Sequence, residues 1–195
     1  MLYLFFGWCL YFFTHSFLAD SRIKACFYRR LNASITGYRR MYNLIAVVGL
    51  VILVYFSLLE PHRIWTYAGW EWIPAVPLII SGAYVGFCAL KKFELREFLG
   101  FSKIRKVARD SGIASDLVVN GIYRHVRHPL YSGTLLFAIG FFLLFPTESF
   151  AVFLISMGIY LPIGIFFEEK KLTDEFGAKY REYKKKTSRL IPWIY

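Results

Sequence analysis

Residues 117–133, LVVNGIYRHVRHPLYSG, gather Arg124, Arg127, His125 and His128 beside Tyr123 and Tyr131 at the start of an apolar run. A chain whose solvent is lipid rarely carries such polarity without a use for it. Pro129 suits the first position of a helix, where the missing N–H costs nothing, so Arg127 and His128 stand at the helix mouth. Exposed N–H groups and the helix dipole make such a mouth attractive to an anion. Glu168 and Glu169 end the next apolar run, and a hairpin between the two runs returns them to the same face. Both signs of charge in one place suit a zwitterionic amino-acid head, with its carboxylate toward the arginine and its ammonium toward a glutamate. The faces of Tyr123 and Tyr131 attract a cation. The methionine moiety and sulfonium of S-adenosylmethionine carry these charges.

The elements that must position these groups follow from the charge map. Among 195 residues, 57% are hydrophobic and 20% aromatic, and the mean hydropathy is +0.45, which places the chain in a membrane. No Asp, Glu, Lys or Arg occurs in 1–19, 41–59, 72–90, 128–147 or 149–167. Each run is long enough to cross a bilayer as a helix. The expected fold is therefore an all-α integral membrane protein, a single membrane domain over 1–195. Its five spans lie at about 2–19, 41–59, 73–90, 129–146 and 149–167.

Alternate intervening segments hold 23 of the 24 Lys and Arg residues. The positive-inside rule then puts the N-terminus outside and the C-terminus in the cytosol. Arg63 is the one exception, set against Glu60, Glu71 and Glu148. The net charge of +11 is a topology signal and an attraction to anionic lipid headgroups, and calls for no nucleic-acid partner. Basic residues follow the first apolar run rather than precede it, the charge order of an anchor with its N-terminus outside and not of a cleaved signal. Cys9, Cys26 and Cys88 are scattered without a C-x-x-C pair, which suggests neither a disulfide framework nor a zinc site.

Residues 20–40 read as a basic surface helix, and Glu60-Pro61 stops the second span. Trp65, Tyr67, Trp70 and Trp72 mark a membrane boundary. Residues 91–100 read as a helix prolonged into the cytosol, 101–116 are polar and basic, and Asn120-Gly121 reads as a turn that delivers Tyr123 to the membrane face. Spans four and five, joined by Pro146-Thr147-Glu148, form a tight antiparallel hairpin, with Gly133 and Gly140 facing Ser156, Gly158 and Gly164. Leu172, Phe176, Tyr180 and Tyr183 continue a helical stripe beyond span five, as packing or as a lid. Lys184, Lys185 and Lys186 meet lipid headgroups.

The order L-V-x-x-G-x-Y, then R-H-P-x-Y-x-G, then an apolar hairpin, then E-E-x-x-L-x-x-x-F-G-x-x-Y-x-x-Y resembles the isoprenylcysteine carboxyl methyltransferase family and, more loosely, the phospholipid methyltransferases. The resemblance covers residues 117–183. It implies an integral membrane enzyme that takes S-adenosylmethionine from the cytosol and methylates the carboxylate of a prenylated cysteine, or a similar lipophilic acceptor, reached from the bilayer. The cofactor pocket would be built from residues 100–128, the span four–five hairpin and the tail helix. The implied cofactor contacts are Val118, Asn120, Gly121, Tyr123, His125, His128, Pro129, Tyr131, Gly133, Glu168 and Glu169. The implied catalytic set is Arg127, which would hold the acceptor carboxylate, with Glu168 and Tyr131. The family places an arginine near the final basic run, where this chain has Lys186.

A carboxylate is ionised at neutral pH and can attack a sulfonium methyl in line, so catalysis is mainly positioning and charge placement. His125 and His128 have i, i+3 spacing, but Pro129 follows directly and no carboxylate or cysteine is near in sequence, so no metal is expected. His15 and His62 read as incidental. A sterol-type membrane reductase using NADPH carries a similar R-H-P-x-Y stretch, a phospholipid N-methyltransferase would use the same cofactor, and a membrane scaffold would leave residues 120–133 without a purpose. A monomer is expected, in the cell membrane of a prokaryote or the endoplasmic reticulum of a eukaryote.

Overall fold

The computed structural model describes residues 1–20, 23–24, 26–27, 34–59, 62–66, 68–91 and 117–194. The surface helix expected over 20–40 lies partly outside these residues. The Glu60-Pro61 stop, the prolonged helix from 92 and the pocket wall expected from 100–116 lie outside them entirely.

Six α-helices have both ends among the described residues: α1 (Leu2–Ala19), α2 (Ile35–Leu59), α3 (Trp72–Leu90), α4 (Pro129–Leu144), α5 (Glu148–Phe176) and α6 (Ala178–Lys186), and residues 23–24 and 26–27 are also helical. A single 3-10 turn, Gly121–Arg124, precedes α4. No strand forms among the described residues beyond two isolated bridges. Four of the helices are long and apolar enough to cross a membrane: Leu2–Ala19, Thr36–Leu59, Trp72–Leu90 and Glu148–Phe176. The run expected to form a fifth span, α4, has 16 residues. At about 1.5 Å per residue that is roughly 24 Å, short of a hydrocarbon core of about 30 Å. The helix ends early because Phe145 leaves helical geometry at φ −128°, ψ 70° and Pro146 follows.

The chain divides into two compact units. One contains α1, α2 and α5 as far as Tyr160. Its interior is aromatic: Trp8 lies 4.6 Å from Phe153, and Phe12 stacks on Tyr160 at 4.7 Å. Tyr38 Oη donates to the Leu18 carbonyl at 2.7 Å and Ser149 Oγ to the Ser57 carbonyl at 3.0 Å. Such bonds join helices where lipid offers no competing partner.

The other unit contains α3, α4, α5 from Leu161, and α6. Its helices α3 and α4 approach at glycine. A Cβ on Gly82 would stand 2.7 Å from the Gly133 carbonyl oxygen, and one on Gly133 would stand 2.8 Å from the Gly86 nitrogen. Gly140 meets the Ala75 carbonyl in the same way, at 2.8 Å. The small residues of α4 are therefore matched to α3, not to α5 as the hairpin reading expected, and nothing lies within 4 Å of a Cβ on Gly158. Backbones close in only where small residues face each other, and α3 supplies them at Gly82 and Gly86.

The stripe expected to continue along one helix is divided between two. Gly177 has φ +57° and ψ −123°, a conformation that side chains with a Cβ rarely adopt, and it turns α5 into α6. Tyr180 on α6 is 1% exposed, while Leu172, Phe176 and Tyr183 are half-buried.

Candidate active site

Three pieces of chain converge at the mouth of α4. His128 caps the helix with Pro129 at its first position. Beyond α6, Thr187 becomes extended and the tail runs beside residues 126–128. Arg127 N–H donates to the Ser188 carbonyl at 2.8 Å and His128 N–H to the Arg189 carbonyl at 3.1 Å. Ser132 Oγ donates to the Leu190 carbonyl at 2.6 Å. These bonds use backbone groups that a helix start and a helix end leave unpaired.

The side chains meet on Glu169, whose carboxylate is 3% exposed. Arg127 Nε donates to it at 2.9 Å and Lys184 Nζ pairs with it at 2.8 Å. His128 Nε2 lies at 3.4 Å and Arg189 Nε at 3.7 Å. A carboxylate taken this far from water persists only when charged donors surround it. Arg127 Nη1 also donates to the Lys184 carbonyl at 3.0 Å and to the Thr187 carbonyl. Arg127 thus ties α5, the end of α6 and the tail together through Nε and Nη1.

Glu168 differs from its neighbour. Its side chain is 43% exposed, with His128 Nδ1 at 3.6 Å and a hydrogen bond to Tyr131. Tyr131 stacks against His128 with ring centroids 5.7 Å apart. Burial pulls the His128 imidazole toward its neutral form, but hydrogen bonds and charge from Glu168 and Glu169 outweigh it and raise its pKa above the ordinary 6.5. Folding therefore gains stability from the protonated ring in full below about pH 6.5 and loses it as pH rises through the raised value. The unfolding midpoint of the detergent-solubilised protein is expected to fall over that interval, and His128→Asn is expected to flatten the fall. A variant profile that tracks the wild type would remove His128 as its source.

The remaining expected residues are distributed around this node. Pro129 is buried at the start of α4, and Gly133 is taken up by the contact with α3. Val118 is half-buried, while Asn120 and Gly121 are exposed. Asn120 is extended and Gly121 has φ +68°, in keeping with the turn read there. Tyr123 is half-buried, and its carbonyl accepts from Tyr183 Oη at 2.5 Å. His125 is exposed and lies with Arg124 and Lys186 in a separate concavity rather than on Glu169. No group of His, Cys, Asp and Glu that would hold a metal occurs among the described residues.

One participant escaped the sequence reading, and another, expected as packing or as a lid, is buried as either role requires. Lys184 was expected at lipid headgroups and instead pairs with Glu169. Tyr180 is buried, and its hydroxyl has no hydrogen-bond partner among the described residues. The F-G-x-x-Y motif was the available signal, since a glycine that breaks the helix also re-aims everything after it.

Known proteins are similar to this chain over part or most of its length. Methanethiol S-methyltransferase 1 of Bradyrhizobium diazoefficiens is 41% identical over 73 residues, 37% of this chain and 25% of that protein. Protein-S-isoprenylcysteine O-methyltransferase of Saccharomyces cerevisiae is 38% identical over 95 residues, 48% of this chain and 39% of that protein. The chain thus spans from a quarter to about two fifths of the length of these two curated relatives. Methanethiol S-methyltransferase of Mycobacterium tuberculosis is 28% identical over 190 residues, 92% of this chain and 72% of that protein. No solved structure matches. The family model described as NnrU protein matches residues 3–194, taking in every helix and the whole node around Glu169, and the chain belongs to that family.

Proposed function

We propose that this protein is a membrane methyltransferase that uses S-adenosylmethionine and methylates the carboxylate of a lipophilic, prenylcysteine-like acceptor. The observation that carries the reading is the division of labour at the mouth of α4. Glu169 is buried among four basic groups, while Glu168, one residue earlier, keeps a 43% exposed carboxylate beside His128 and Tyr131. The chain fits a cationic amino-acid ligand there. Glu168 can accept from an ammonium, the Tyr131 ring can face a cation, and the buried Tyr180 hydroxyl lacks a partner among the described residues. When bound, S-adenosylmethionine supplies a methyl group on a sulfonium that departs as a neutral thioether.

What the chain itself does is hold and orient. Glu168 fixes the donor's amino end. Arg127 keeps Nη2 free of protein partners among the described residues while Nε and Nη1 are engaged, so Nη2 is the donor that would align an acceptor carboxylate for in-line attack. No proton need move, because the acceptor is already ionised. Glu168 and Glu169 favour the cationic form of His128, which adds a fixed charge beside the proposed donor site. With the C-terminus in the cytosol, as the charge distribution supports, the donor would arrive from the cytosol and the acceptor from the bilayer.

A thiol acceptor is the second reading, favoured by the methanethiol S-methyltransferase that aligns with 92% of this chain. Purified full-length protein in nanodiscs, given S-adenosylmethionine labelled in its methyl group, separates the two. Label is expected in a base-labile ester of N-acetyl farnesylcysteine. Label only in a thioether formed from methanethiol would move the assignment to the second reading, and transfer to neither acceptor would remove both. Arg127→Lys keeps the charge but loses the planar fork. It is expected to slow turnover about tenfold with donor affinity nearly unchanged, the size of one lost charge-assisted contact. Unchanged turnover would take Arg127 out of acceptor alignment.

A further inference from the structure

A concavity whose lining does not include Glu169 lies where the tail meets the residues before α4. Arg124 and His125, just before α4, line an open concavity together with Lys186, Ser188, Pro192 and Trp193. Two segments some 60 residues apart bring three basic side chains to one hollow, and none of its lining residues is acidic. Neither Arg124 nor Lys186 belongs to the Glu169 node, and both are exposed.

The rim is apolar. Ile191 is 55% exposed, Trp193 86% and Ile194 63%. The Ile194 N–H donates to the Ile191 carbonyl at 3.2 Å, closing a turn in which Trp193 takes φ +66°. That turn position ordinarily goes to glycine, so a bulky residue there is strained. The indole of Trp193 stands exposed beside the concavity that it helps to line. Trp is the side chain best suited to a headgroup boundary, and the flanking isoleucines belong on its acyl side.

We propose that this concavity holds the phosphate of an anionic phospholipid headgroup between Arg124 and Lys186, with Trp193 and its neighbours seated in the interface. A soluble phosphate would satisfy the cations but leaves the apolar rim unexplained, so the lipid is the occupant the whole arrangement fits. The consequence reaches the node. Lys186 and Ser188 bracket Thr187, whose carbonyl accepts from Arg127, and Ser188 accepts from the Arg127 N–H. A bound headgroup therefore clamps the tail that Arg127 and Glu169 require. This site does not depend on the methyl-transfer reading, and its test does not measure activity.

The full chain in a mild detergent is titrated with dihexanoyl phosphatidylglycerol, dihexanoyl phosphatidylcholine or inorganic phosphate while thermal unfolding is followed. Phosphatidylglycerol is expected to raise the midpoint, and the other two to leave it nearly unchanged. The Arg124→Ala/Lys186→Ala double variant is expected to need about thirtyfold more phosphatidylglycerol for the same shift, about fivefold per lost cation. Lys179→Ala/Arg181→Ala removes the same charge from exposed positions of α6 and is expected to respond as the wild type. Equal stabilisation by phosphatidylcholine, an equal loss in the control, or a wild-type response in the Arg124/Lys186 variant would overturn the site. Inorganic phosphate acting as well as phosphatidylglycerol would overturn the lipid as its occupant. Brominated phosphatidylglycerol in nanodiscs is expected to quench indole fluorescence in the wild type more than in Trp193→Phe, and equal quenching counts against the seating of the tail.

Discussion

Glu169→Gln is expected to lower the unfolding free energy by about 3–5 kcal/mol. The glutamine keeps the volume but not the charge, so the Arg127 guanidinium, 5% exposed, is left buried without an anion. His128, with its side chain 2% exposed, loses one of the two carboxylates that stabilise its cation. Lys184 is 36% exposed and can turn to water, so its share of the loss is small. The tail is the part that should come free, because Arg127 holds the Lys184 and Thr187 carbonyls in the geometry fixed by Glu169. Protease sensitivity beyond Lys186 should therefore rise at temperatures where the membrane helices remain intact. A variant that melts with the wild type would show that the node contributes nothing net, as happens for some buried ion pairs replaced whole.

Glu168→Gln is expected to do the reverse. With the side chain 43% exposed, losing the charge changes stability by less than about 1 kcal/mol. The proposed donor loses its charged partner, which weakens its binding by about 10–100-fold, the value of one hydrogen bond to a charged group. Isothermal titration with S-adenosylhomocysteine reads the affinity, and a melt in the absence of ligand reads the stability. The adjacent glutamates thus give opposite signatures, one in the melt and one in the titration. A Glu168→Gln protein that binds like the wild type would mean that the ligand's amino end lies elsewhere.

The meeting of Arg127 and His128 with Glu168 and Glu169 was legible in the sequence, because a three-residue link between two apolar runs has to return the second run to the face where the first began. Which glutamate turns inward was not. Neighbours on a helix point about 100° apart, and only the packed rotation of α5 decides between them. Lys184 was hidden for a related reason. It sits in a triplet of lysines that looks uniformly solvated, and it reaches Glu169 because Gly177 redirects α6 by a backbone angle that composition does not announce. The glycines of α4 could be recognised as a packing face but not matched to a partner, and proximity along the chain suggested α5 where Gly82 and Gly86 made α3 the closer fit. The charge-free run 128–147 overstated the length of a helix that Pro129 begins and Phe145 and Pro146 end, which is why it has 16 residues.

Service of a methyl donor by the node at the mouth of α4 is read by ligand-dependent stability. The detergent-solubilised full-length protein is melted with S-adenosylhomocysteine and, separately, with NADPH. At a hundredfold excess over its dissociation constant, a ligand bound only by the folded state adds about 2.7 kcal/mol. A raised midpoint is expected with S-adenosylhomocysteine, lost in Glu168→Gln, and no shift with NADPH. Stabilisation by NADPH alone would contradict it and favour a nicotinamide-dependent membrane reductase.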